Sequence, residues 1–78
     1  MTRETILVDI NTIFTETLDN PSIIVTEATT ANDITEWDSL MNVLLVDEME
    51  KHFKVRFKAS EIQNWKNVGE IVNSILAQ

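Results

Sequence analysis

The stretch RETILVDINTIFTETL, Arg3 to Leu18, decides the fold, because its isoleucines, valine and threonines suit a pleated strand as well as a helix. A strand sets Ile6, Val8, Ile10 and Phe14 on one face, but it then leaves Leu7 and Ile13 among the polar residues of the other. A helix gathers Ile6, Ile10, Ile13, Phe14 and Leu18, at offsets of 4, 7, 8 and 12, and keeps Glu4, Asp9, Asn11 and Glu16 mostly outside that stripe. The helical template accounts for more residues, with Thr2 as its N-cap.

The rest of the chain supports an all-α reading. One glycine, Gly69, and one proline, Pro21, in 78 residues leave little material for tight β-turns. From Asp19 to Trp37 runs a long first connection, with DNPS as a turn signal and TEATTAND as a stretch of poor helix formers. Its Ile23, Ile24 and Val25 have no second strand to pair with and are expected to pin the loop onto the helices. A loop this long in a small domain tends to carry function.

Ser39 to Phe53 reads as a second helix, N-capped by Asp38, with Val43, Val46, Met49 and Phe53 as its inner stripe. A short third helix, Ser60 to Asn64, is expected to open on a Ser60–Gln63 capping box. Asn67 to Ala77 forms the fourth, with Asn67 and Glu70 in a cap relationship and Val68, Ile71, Val72, Ile75 and Leu76 facing inward. The expected fold is one domain over residues 1–78, a small four-helix bundle with three main helices, one short helix and a long first loop.

Six basic and thirteen acidic residues give a formal charge of −7, which repels nucleic acid and favours protein partners with basic patches. With no cysteine the chain has no disulfide and no thiol of its own. No apolar run approaches the roughly 20 residues that span a bilayer, and ILVDI lacks the basic lead of a signal peptide, so a cytoplasmic protein without membrane insertion is expected.

The catalytic inventory is poor. The single histidine, His52, lies 13 residues after Ser39 on the same helix, about 20 Å away at 1.5 Å per residue, so it is no base for that serine. It reads as a surface residue suited to a helix C-terminus. Asp47, Glu48 and Glu50 lack the loop spacing of a calcium hand, and there is no glycine-rich phosphate loop. An enzyme is not expected. Ser39, in WDSL, instead has the character of a substrate for another protein: an exposed hydroxyl at the positive end of a helix, where a phosphate ester is well placed.

Taken in order, WDSL, EMEKHFKVRF, SEIQNW and KNVGEIVNSIL make the chain resemble the acyl carrier proteins over almost its whole length. The resemblance implies that Ser39, between Asp38 and Leu40, carries a covalent 4′-phosphopantetheine donated from coenzyme A, whose thiol holds an acyl group as a thioester. It implies a monomeric carrier whose partners are a phosphopantetheinyl transferase and acyl-transferring synthases or ligases. These would dock on the second helix through Asp38, Asp47, Glu48 and Glu50, with Met41 and Leu44 as apolar contacts. It also implies an acyl-chain lining drawn from Val43, Val46, Met49, Phe57, Ile62 and Trp65, although an ordinary filled core is equally compatible with those residues.

Trp37 stands where many fatty-acid carriers have glycine, and Met41, Leu44 and Lys51 stand where acidic residues are common. Polyketide or other specialised acyl pathways are therefore open beside fatty-acid synthesis, as are peptidyl and aminoacyl carriers. A small acidic docking module without a prosthetic group is the alternative from another class. Trp37 is expected to cover the start of the second helix near Met41, where it also stands to shield the arm. Trp65 is expected to pack between the third and fourth helices.

Overall fold

The computed structural model describes residues 1–78, and it places helices where the apolar spacing put them. Helix α1 spans Arg3–Thr17, α2 Ser39–Phe53, α3 Ala59–Asn64 and α4 Val68–Leu76, and a 3₁₀ turn at Ala31–Asp33 interrupts the first loop. No strand forms. The N-cap of α1 is Thr2, whose Oγ1 accepts from the Thr5 N–H at 3.2 Å.

All five residues of the α1 stripe are buried, with Ile10 and Phe14 fully so. They pack against α2 and α4, which contribute Leu45, Met49, Val68, Ile71, Val72 and Ile75. The loops complete the core with Val25 and Ile34 before α2, and with Val55 and Phe57 between α2 and α3.

The inner face of α2 differs from the expected stripe. Leu45 is fully buried and Met49 nearly so, Val46 and Phe53 are partly covered, and Val43 is 64% exposed. Leu40 to Val46 contains six apolar residues in seven, so the run has no polar face to reveal which side turns inward. Tertiary packing selects the i, i+4 row Met41, Leu45, Met49. Leu76, expected in the α4 stripe, sits in the last turn and is 40% exposed.

The short helix begins one residue early and uses a different cap. Glu61 Oε1 accepts from the Lys58 N–H at 3.0 Å, so the reciprocal pair is Lys58 and Glu61 rather than Ser60 and Gln63. The α4 start has Asn67 Oδ1 accepting from the Glu70 N–H at 3.1 Å. Glu70 reaches back one residue further than expected, and its carboxylate accepts from the Lys66 N–H.

The long loop is pinned by polar side chains as much as by apolar ones. Asn11 Nδ2 donates to the Val25 carbonyl at 2.8 Å and Asn11 Oδ1 accepts from the Val25 N–H at 2.7 Å, so one amide satisfies both backbone groups of a buried residue. Val25 is buried and Ile23 packs against the core, but Ile24 points to solvent at 81% exposure. At its far end the loop covers the start of α4, where the Val68 and Gly69 N–H groups donate to the carbonyls of Thr29 and Glu27 at 2.9 and 2.8 Å. A Cβ on Gly69 would lie 3.1 Å from the Glu27 carbonyl, so only glycine fits that approach without displacement.

Arg3 clasps the same corner. Its guanidinium is paired with the Glu27 carboxylate and donates to Asn73 Oδ1 at 2.6 Å and to the Gly69 carbonyl at 3.3 Å, joining α1, the loop and α4. The hydrogen bond from Arg3 holds the Glu27 carboxyl below its ordinary range, and Glu27 raises Arg3 in turn.

Candidate functional site

Ser39 is the first residue of α2 and is exposed. Asp38 caps the helix, its Oδ1 accepting from the Met41 N–H at 2.9 Å and its carbonyl from the Asn42 N–H at 2.8 Å. The N–H groups of Ser39 and Leu40 take no partner within the chain. A 15-residue helix therefore presents two free donors and the positive end of its dipole beside one hydroxyl.

The other serines have different surroundings. Ser22 lies in a turn, Ser60 lies within the six-residue α3, and Ser74 Oγ accepts the Trp65 indole N–H at 2.9 Å.

The residues before Ser39 are held rigidly. Trp37 packs edge-on against the buried Phe14, with ring centroids 4.9 Å apart and planes at 89°, and its Nε1 donates to Asn42 Oδ1 at 2.9 Å. Trp37 thus fixes WDS against both α1 and α2. It lies at the start of α2, but its partners there are Phe14 and Asn42 rather than the expected Met41.

A surface cleft of about 390 Å³ opens beside Ser39. It is lined by Trp37, Asp38, Ser39 and Asn42 at the start of α2, by Ile62 and Trp65 of α3 and its end, and by residues 30–32 and 66–67 of the loops. Trp65 is braced like Trp37, packing edge-on against Phe57 at 4.8 Å and donating to Ser74 of α4. Of the residues expected to line an acyl site, Ile62 and Trp65 border this cleft. Met49 and Phe57 lie in the filled core, and Val46 is half-buried. Val43 faces outward and lines no interior.

The outer face of α2 combines charge with exposed apolar surface. Leu40, Val43, Leu44, Asp47 and Glu48 follow one another at i, i+3, i+4, i+7 and i+8, with Leu40 72% and Leu44 47% exposed. Met41, expected among them, is turned against the core, and Leu40 and Val43 take that place. Asp47 pairs with Lys51 at 2.9 Å, and its hydrogen bond raises the Lys51 ammonium above its usual value. Glu50 is half-buried and accepts from the Phe57 N–H at 2.8 Å, which commits it to the α2–α3 connection rather than to the outer face. His52 lies at the far end of α2, its Nε2 3.1 Å from Asp9 Oδ2 of α1.

Ser39, Asp38 and Trp37, singled out in the sequence, line the cleft together with Asn42, Lys66 and Asn67, which no sequence feature marked as site residues. Those three come from separate segments and carry no common motif, so only the packed chain brings them to one cleft.

Residues 10–75 match the family described as the phosphopantetheine attachment site. Among solved structures, the chain is similar to the holo acyl carrier protein of Geobacter metallireducens, at 38% identity and a TM-score of 0.85, over 91% of this chain and 82% of that one. No curated protein matches the sequence. With a family match over most of its length and that likeness in fold, the chain belongs to the acyl carrier proteins, which bear covalent 4′-phosphopantetheine and are not themselves enzymes.

Proposed function

We propose that Ser39 is the residue that carries the 4′-phosphopantetheine, and that the chain uses it to present acyl groups to partner enzymes of a fatty-acid, polyketide or other specialised acyl pathway. The exposed hydroxyl at the start of α2, beside two unpartnered N–H groups, carries this reading. Those donors and the helix dipole suit a phosphodiester, and the adjoining cleft leaves room for a substituent. The group supplies the thiol that the cysteine-free chain lacks. Attachment exchanges a phosphoanhydride bond for a phosphodiester: the Ser39 oxygen attacks the pantetheine-side phosphorus of coenzyme A, adenosine 3′,5′-bisphosphate leaves, and the serine proton passes to the transferase.

The chain's own contribution is positioning. Asp38 and Trp37 hold Ser39 at the helix start, while Leu40, Val43, Leu44, Asp47 and Glu48 offer a docking face for basic partners. A single tethered intermediate then meets successive active sites at high effective concentration.

Co-expression with a broad-specificity phosphopantetheinyl transferase, followed by intact-mass measurement, tests this function. We expect a gain of one phosphopantetheine in the wild type and none in Ser39→Ala. An unmodified wild type with several competent transferases contradicts it.

A further inference from the structure

The basic residues of this acidic chain are unevenly placed. Four of the six, Lys51, Lys54, Arg56 and Lys58, fall in the stretch KHFKVRFK, which contains no acid. Lys51 pairs with Asp47, but Lys54, Arg56 and Lys58 are exposed and make no ion pair, although the chain holds thirteen acidic residues. The carboxylates nearest in sequence, Glu50 and Glu61, are turned to the backbone, accepting from the Phe57 N–H at 2.8 Å and the Lys58 N–H at 3.0 Å. Gln78 clasps Arg56, its Oε1 accepting from the Arg56 N–H at 3.1 Å and its Nε2 donating to the Arg56 carbonyl at 2.8 Å. The Val55 N–H donates to the Glu50 carbonyl at 3.2 Å, so every N–H from Val55 to Lys58 has a partner, and Val55 and Phe57 are buried. The extended segment is thus fixed, with Arg56 and Lys58 on its outward face about 7 Å apart along the backbone. Helix electrostatics account for only part of this. Lys51, His52 and Lys54 suit the negative end of α2, but Arg56 lies beyond either helix, and Lys58 is the N-cap of α3, where a cation is unfavourable and Ser or Asp is preferred. A cation set against its own helix points to a role outside the fold.

We propose that Lys54, Arg56 and Lys58 form a contact site for an acidic patch on a protein partner, set apart from the outer face of α2 and opposite to it in sign. Charge complementarity selects the partner. The Debye length at physiological ionic strength is about 8 Å, well below the molecule's extents of 29 × 24 × 22 Å. A surface seated on the row therefore feels its cations while distant carboxylates are screened. A bilayer fits less well, because Val55 and Phe57 are buried, leaving no apolar side chain of the segment to insert, and a broad anionic surface meets the thirteen acidic residues as well. A second copy also fits less well, since two chains of charge −7 repel. With its N–H groups taken, the segment recognises a partner through side chains rather than by strand pairing. The row lies at the far end of the 15-residue α2 from Ser39, about 20 Å along the helix. A partner that also receives the α2 face is then held by two contacts of opposite sign, and like-charge juxtaposition disfavours the reversed orientation. The contact site itself does not depend on Ser39 bearing the arm.

The test titrates a hexaglutamate peptide, as an acidic probe, into the isotope-labelled full chain and follows its amide NMR signals at about 0.1 M ionic strength. We expect shifts centred on residues 54–58, absent from the outer face of α2 and abolished at about 1 M salt. In the double variant Arg56→Glu/Lys58→Glu the apparent affinity falls about tenfold or more; equal affinity, or no shift at residues 54–58 in the wild type, overturns the site. Lys58→Ser separates binding from folding, because it completes a Ser–Glu capping box with Glu61. It is expected to raise the urea midpoint while weakening the probe. A lower midpoint with unchanged binding makes Lys58 a structural residue and removes it from the site. Co-sedimentation with phosphatidylglycerol vesicles that the double variant loses transfers the row to a membrane and overturns the protein partner. A salt-sensitive dimer in sedimentation velocity, lost in the same variant, overturns it in favour of a second copy. Intact mass after modification reports on Ser39 separately, so failure of the contact site leaves the carrier function standing.

Discussion

At the scale of single residues, Asp38 serves as a helix cap and as a charge beside Ser39. The cap is a carboxylate oxygen receiving the Met41 N–H. Its removal in Asp38→Ala is expected to lower stability by about 1 kcal/mol, read from the urea unfolding midpoint at unchanged slope. Asp38→Asn keeps an acceptor and should unfold close to wild type, so any loss of transferase rate it shows belongs to the charge. Gly69 is constrained by the Glu27 carbonyl, which a Cβ would meet at 3.1 Å. Gly69→Ala forces the loop away from α4 and is expected to destabilise by about 1–3 kcal/mol, despite alanine's higher helix propensity. An increase in melting temperature would show that the loop yields freely.

At the scale of elements, the long first loop holds its place through two side-chain clasps, Asn11 on Val25 and Arg3 on Glu27. The second is pH-dependent. Because Arg3 holds the folded-state carboxyl of Glu27 below its unfolded value, the clasp contributes fully above the ordinary carboxylate range and is lost as pH falls through the lowered folded pKa. Glu27→Gln should therefore melt below wild type at neutral pH, and the gap should close on acidification. A gap that persists unchanged in acid would mean the contribution is packing rather than charge.

Neither clasp was legible in the sequence, since the partners lie 14 and 24 residues apart in segments with no shared periodicity. The α1 helix was legible because polar residues outline its stripe. The inner face of α2 was not, because Leu40 to Val46 is apolar all round and only contact with α1 decides which side is buried. Half of the site was likewise visible: WDSL is contiguous, whereas the cleft borrows Lys66 and Asn67 from beyond α3.

At the scale of the whole molecule, the docking role proposed for α2 divides recognition into long-range attraction, from a formal charge of −7, and short-range apolar contact, from the exposed leucines and valine of its outer face. Reversing Asp47 and Glu48 to lysine should slow association with a basic partner about tenfold or more at low salt, with the deficit shrinking as salt is added. Leu44→Ala should act mainly on dissociation and be nearly indifferent to salt. Both are read from binding kinetics with the transferase, and unchanged rates in the charge-reversed protein would remove α2 from the docking surface.

The tethering role itself depends on one bond. Peptide mapping of the wild-type protein after modification, with fragmentation of the modified peptide, tests it most directly. The account predicts the phosphopantetheine on the peptide containing Ser39, with peptides containing Ser22, Ser60 and Ser74 unmodified; a modification found on any of those three instead would contradict it.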